Sequence, residues 1–129
     1  MGGHVSPPPA SRQVVGWWLA TAAYAALLFV ASVIPVGPGP SIRHLDKAAH
    51  LGEYLLFAWL LAQAVRAARM RDRVVSLWAW IAATSYGGLL EGVQAMLPWR
   101  SAELADAVAN AVGAALGVWL ASKSIVHSR

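Results

Sequence analysis

Val14-Val-Gly-Trp-Trp-Leu-Ala-Thr-Ala-Ala-Tyr-Ala-Ala-Leu-Leu-Phe-Val-Ala-Ser-Val-Ile34 is a run of 21 residues without a charge. At roughly 1.5 Å per residue a helix of that length matches the hydrocarbon core of a bilayer, about 30 Å. A cleaved signal peptide is the rival reading, but its apolar region is usually only about 7 to 15 residues long. Three further apolar runs follow. The second extends from Lys47 to Ala68, broken only by His50, Glu53, Gln63 and Arg66. The third, Val74 to Leu97, carries the single charge Glu91, and the fourth, Ala102 to Ala121, is rich in Ala, Gly and Val. The segments between them punctuate the chain. Pro35-Val-Gly-Pro-Gly-Pro40 cannot continue a helix, Arg66, Arg69, Arg71, Asp72 and Arg73 make a tight basic turn, and Pro98 stops the third run.

The fold expected is all-α: an integral membrane bundle of four transmembrane helices, over about 14–34, 47–68, 74–97 and 102–121. A Pro-rich disordered lead, residues 1–13, precedes it, and a short tail, residues 122–129, follows. Composition agrees, with 58% hydrophobic and only 12% charged residues, against roughly 25% charged in soluble domains. The absence of cysteine excludes disulfides, thiolate metal sites and a cysteine nucleophile. A net charge of +4 would suit nucleic acid only if it formed a basic stripe interleaved with exposed aromatics. The arginines instead cluster between apolar runs, so nucleic acid is not an expected partner.

Basic residues set the orientation. Arg12, Arg66, Arg69, Arg71, Arg73, Lys123 and Arg129 fall on one side of a four-span hairpin arrangement, and Arg43, Lys47 and Arg100 on the other. Seven against three puts both termini in the cytoplasm, in a multi-pass protein of the cytoplasmic (inner) membrane. Trp17, Trp18, Trp78, Trp80 and Trp119 lie near the cytoplasmic ends as an interfacial belt would, Trp99 lies at the opposite end, and Trp59 is mid-span.

The polar residues inside the spans carry the functional signal. Asp46, His50 and Glu53 share a face of the second helix, Glu91 and Gln94 a face of the third, and Glu103, Asp106 and Asn110 a face of the fourth. Glu53 is about 9 Å below Lys47, and Glu91 about 9 to 10 Å below the Leu97-Pro98 end, by the helical rise. Three helices thus bring polar groups to matched depth in the outer half of the membrane. An ionised carboxylate near mid-bilayer costs about 2.5 to 3.5 kcal/mol even on the lenient insertion scale, so Glu53, Glu91 and Asp106 are expected to face one another, a cation or water. The candidate site comprises Asp46, Lys47, His50, Glu53, Glu91, Gln94, Arg100, Asp106 and Asn110. Structural readings stand beside it: Asp46 as a helix cap, His50 as a packing residue, Glu91 and Gln94 as interhelical glue, and Arg100 as a snorkelling anchor. Gly113 and Gly117 form a small-xxx-small face suited to close helix packing.

Three segments in order, Asp46-Lys47-Ala-Ala-His50-Leu-Gly-Glu-Tyr54, Glu91-Gly-Val-Gln94 and Arg100-Ser-Ala-Glu-Leu-Ala-Asp106-Ala-Val-Ala-Asn110-Ala-Val-Gly113, resemble the VanZ-like membrane proteins of bacteria. The similarity runs from about residue 14 to 121. It implies a small multipass protein of the cell envelope, associated through the family's namesake with glycopeptide (teicoplanin) resistance.

Two functional classes follow from the residues. In the first, the cluster binds a polar lipid headgroup or a cell-envelope component, with Lys47, His50 and Arg100 as cationic or hydrogen-bonding groups. In the second, Glu91 or Glu53 and His50 perform acid/base chemistry on a lipid-linked envelope substrate. Proton coupling or transport is a third, weaker reading. The residues supply polar convergence but no activated nucleophile, P-loop or Rossmann pattern, so binding is favoured. Expected partners are membrane lipids and an envelope-lipid or peptidoglycan-related ligand. No cofactor is expected, and a metal site from His50, Glu53, Glu91 and Asp106 is disfavoured by the single histidine.

Overall fold

A computed structural model describes residues 2–3, 9–35 and 43–126. Four helices account for nearly all of them: α1 (Pro9–Val33), α2 (Arg43–Ala67), α3 (Asp72–Ala95) and α4 (Leu104–Val126). No strand occurs among the described residues. Three helices are long and apolar enough to cross a membrane, over Ser11–Val33, His44–Ala67 and Leu104–Ser124. α3 is as long, at 24 residues, but its second half carries Thr84, Ser85, Tyr86, Glu91 and Gln94 and is less apolar.

The helix ends depart from the sequence reading by several residues. α1 begins at Pro9, so residues 9–13 of the expected lead are helical. Proline is well suited to a first turn, where its missing N–H would have no partner in any case. α2 starts at Arg43, which places Asp46 inside the first turn rather than at the cap position. A carboxylate in the first turn complements the helix dipole. α4 continues to Val126, five residues beyond the expected end. Lys123 lies 5.5 Å from the centre of the Trp119 ring in that last turn. The Pro/Gly loop at 36–40 and residues 127–129 of the tail lie outside the described residues.

Cross-helix contacts define an up-down-up-down bundle. Trp17 meets Trp59 edge to face and Tyr24 meets Phe57, so α1 and α2 run antiparallel. Gly87 of α3 abuts Tyr54 of α2 and Asn110 of α4, while Trp80 donates to the Ala111 carbonyl, 3.1 Å. α3 is therefore antiparallel to both neighbours. The tightest seam joins the two parallel helices α2 and α4. A Cβ on Gly113 would sit 2.2 Å from the Leu51 carbonyl oxygen, and one on Gly117 would sit 2.1 Å from that of Leu55. Only glycine permits this backbone approach, which is the close packing its four-residue spacing led one to expect. Phe57, Ala58, Ala62, Val75, Ala79, Ala83, Ala114 and Ala121 fill the interior. Leu19, Leu27, Leu77, Trp78, Leu89, Val108 and Val112 are exposed on the outside, as in a bundle whose surroundings are themselves apolar.

The α2–α3 turn contains the one described non-glycine residue with positive φ, Arg69 at 65°. It follows the last turn of α2, where Ala68 and Arg69 donate their N–H groups to the Ala64 and Arg66 carbonyls, and where a left-handed residue commonly ends a helix.

Candidate functional site

The end of the bundle where α2 and α4 begin, and α1 and α3 finish, holds the polar residues. The glycine seam between α2 and α4 determines which of them meet. Next to Leu51, and one turn before Gly113, the ring Nδ1 of His50 lies 3.1 Å from Asn110 Oδ1. Asn110 is only 1% exposed, and its amide fits against Gly87 because α3 has no side chain there. Nε2 of His50 faces two carboxylates, Asp106 at 3.7 Å and Asp46 at 3.9 Å. One turn further out, the Lys47 ammonium hydrogen-bonds to Asp106 and to Glu103 Oε2 at 2.7 Å, with Asp46 3.7 Å away. Asp106, 4% exposed, thus has a lysine partner as well as a histidine beside it, as a buried carboxylate requires.

Beside this seam is a cavity of about 120 Å³, room for several waters or a small polar group. Asp46, His50 and Glu53 of α2 line it, with Glu91 and Gln94 of α3, Asn110 of α4 and Arg100 from the α3–α4 connection. α1 closes the remaining side with Leu28, Ala31 and Ser32. Glu91 is 9% exposed, and its Oε2 has no hydrogen-bond partner. The backbone N–H of Glu103 donates to the same carboxylate.

The nine residues selected from sequence therefore divide by position. Seven line the cavity, while Lys47 and Asp106 lie alongside it in the α2–α4 seam, linked to it through His50. Gln94 and Arg100 also have a structural task. An α-helix leaves its last four carbonyls without intrahelical donors. In α1 the carbonyl of Val30 accepts from the Ile34 N–H and that of Ser32 from Gln94 Nε2, 3.2 Å. Trp99 Nε1 donates to Val33 at 3.0 Å and Arg100 Nη2 to Ala31. The guanidinium thus sits at the negative end of the α1 dipole, a favourable place for a cation. Its Nε is buried without a partner.

Glu103 and Trp99 are the functional-end residues that the sequence selection left out. Glu103 was legible, since it precedes Asp106 by three and shares its helical face. The capping role of Trp99 was not, because its acceptor is a main-chain carbonyl of another helix.

Asp46, His50 and Asp106 offer ligand atoms within 4.8 Å of one another, close enough for a metal ion. The same two carboxylates already face the Lys47 ammonium, so a metal there would compete with a lysine for its ligands.

Comparison with known proteins gives no relative. No family model, curated protein or solved structure matches the chain.

Proposed function

We propose that this chain is a VanZ-like integral protein of the bacterial cytoplasmic membrane, crossing it four times with both termini in the cytoplasm. Its outer-end cavity binds the polar headgroup of a lipid or a lipid-linked envelope component, and the link to teicoplanin susceptibility follows from the family resemblance. The observation that carries this reading is a polar cavity at one end of a bundle whose outer surface is apolar. Buried carboxylates in such surroundings call for an occupant able to hydrogen-bond. α3 is included among the spans because it has the length of its neighbours and is antiparallel to α2 and α4. It turns Gly87, Leu90, Glu91 and Gln94 inward and Leu77, Trp78, Ile81 and Leu89 outward.

A photo-crosslinking amino acid at Ala49, a cavity-lining position, tests the reading in living bacteria. It should capture a lipid or lipid-linked precursor that the same probe at Val108, on the outer face of α4, does not enrich. Identical capture at both positions would overturn it.

A catalytic reading draws support from the setting of His50, whose ring is oriented by Asn110 and flanked by Asp106 and Asp46. A histidine held in this way is suited to moving a proton. Conversion of the captured lipid in wild type, but not in His50→Gln, would favour it over simple binding.

A further inference from the structure

Two residues of opposite charge that line the cavity each keep one buried atom without a protein partner. Glu91 Oε2 lacks a donor, and Arg100 Nε lacks an acceptor. Both residues line the same space, yet among the described residues no ion pair joins them or brings any base to Glu91. Leaving either group unsatisfied costs the full desolvation of a polar atom, and more where it is charged.

The remaining charges indicate which occupant fits. Asp46, Glu53 and Glu91 bring three carboxylates to the wall. Lys47 is not on the wall, and its ammonium is already bonded to Glu103 and Asp106. Arg100 has one guanidinium nitrogen on the Ala31 carbonyl, which leaves Nε for a ligand. The wall thus carries three carboxylates, the His50 ring and one guanidinium, whose Nε has no acceptor. An anionic headgroup would meet three carboxylates, and a simple cation would leave Arg100 Nε unfilled. A molecule with both charges close together satisfies the two groups at once.

We infer that the cavity holds a zwitterionic aminophosphate headgroup, its primary ammonium on Glu91 and its phosphate on Arg100. This rests on the headgroup-binding reading above and narrows its ligand. The ammonium supplies N–H donors to Glu91 Oε2, with the Glu53 and Asp46 carboxylates nearby, and the phosphate oxygens accept from Arg100 Nε. A trimethylated ammonium has no N–H to give and should be discriminated against.

The test uses the full chain in nanodiscs of phosphatidylglycerol doped with phosphatidylethanolamine or phosphatidylcholine, with bound lipid counted by native mass spectrometry. Phosphatidylethanolamine should be retained roughly tenfold or more over the other two, the discrimination that one charge-assisted hydrogen bond provides. Glu91→Gln, which keeps the shape of the side chain, should abolish the preference. The wild-type lipid series stands by itself if that variant does not fold. Phosphoethanolamine in solution should displace the bound lipid, and glycerol phosphate should not. Retention of all three lipids alike would overturn the ammonium assignment while leaving headgroup binding intact. Binding of free phosphoethanolamine with no lipid retained would uphold the charge pairing and refute the lipid reading. Binding of neither would refute both.

Discussion

Replacing Gly113 by alanine should force α2 and α4 apart and take the polar site with them. The new Cβ would lie 2.2 Å from the Leu51 carbonyl oxygen, where real contacts do not fall below 3.0 Å. The obstacle is backbone, so no side chain can swing away, and the helices must separate by about 0.8 Å. Overpacking of this kind costs about 1–3 kcal/mol. The same displacement would stretch the His50–Asn110 contact from 3.1 Å to about 3.9 Å, beyond hydrogen-bonding range, for roughly another 1 kcal/mol. Gly117→Ala should cost about as much alone, since its Cβ would be 2.1 Å from the Leu55 oxygen. The informative variant is the double mutant. One separation relieves both clashes, so the second alanine should add less than about 1 kcal/mol to the first, a clear departure from additivity. Gly52→Ala is the control, with nothing within 4 Å of its Cβ, and it should stabilise α2 by up to about 1 kcal/mol through helix propensity. Unfolding in mixed micelles, titrated with a denaturing detergent and followed by circular dichroism, measures all four. A Gly113→Ala protein within about 0.5 kcal/mol of wild type, or strictly additive alanines, would refute the reasoning, because surface substitutions change stability by no more than that.

Other outcomes follow from the same geometry. Because the chain has no cysteine, single cysteines report topology cleanly: one at Ser101 should react with an impermeant reagent from outside the cell, and one at Asp72 should not; labelling of Asp72 from outside would reverse the orientation. Arg100→Gln should remove the donor to Ala31, costing about 1–3 kcal/mol locally, and hydrogen exchange should rise at residues 30–34 while α2 and α4 stay protected; unchanged exchange there would remove Arg100 as a cap. Arg69→Gly should relieve a left-handed residue and raise stability by about 0.5–1 kcal/mol, and a loss of stability in the same micelle titration would contradict it.

The sequence makes the helices legible because uncharged length is a direct physical requirement of a span, and the runs at 14–34, 47–68, 74–97 and 102–121 each correspond to a helix. Their ends are less legible. Pro9–Gln13 are polar yet helical, because a helix in progress extends through residues that would not start one. That the polar residues of α2, α3 and α4 gather at one end of the bundle was readable from spacing, and so was the glycine face of α4. Partner choice was not. Lys47 and Arg100 look equivalent in the sequence as outer-end cations, but the α2–α4 seam commits Lys47 to Asp106 and Glu103. Arg100 instead caps α1. That difference arises from where α1 ends relative to the α3–α4 connection, and no residue pattern in α1 encodes it.

The last turn of α1 is hydrogen-bonded to the rest of the bundle through main-chain oxygens: Gln94, Trp99 and Arg100 each take a carbonyl, and further back Tyr86 takes that of Ala25. Every residue type carries that oxygen, so these four bonds make no demand on which side chains α1 presents. They register only the pitch and the stopping point of the helix. The exposed side chains of this stretch, Phe29, Val30 and Ile34, are therefore open to change while Leu28, buried in the core, is not, and lengthening or shortening α1 by one residue would rotate a different set of carbonyls toward the same three donors. At this end of α1 those bonds fix position along the axis, and only the outward side chains are at liberty to drift.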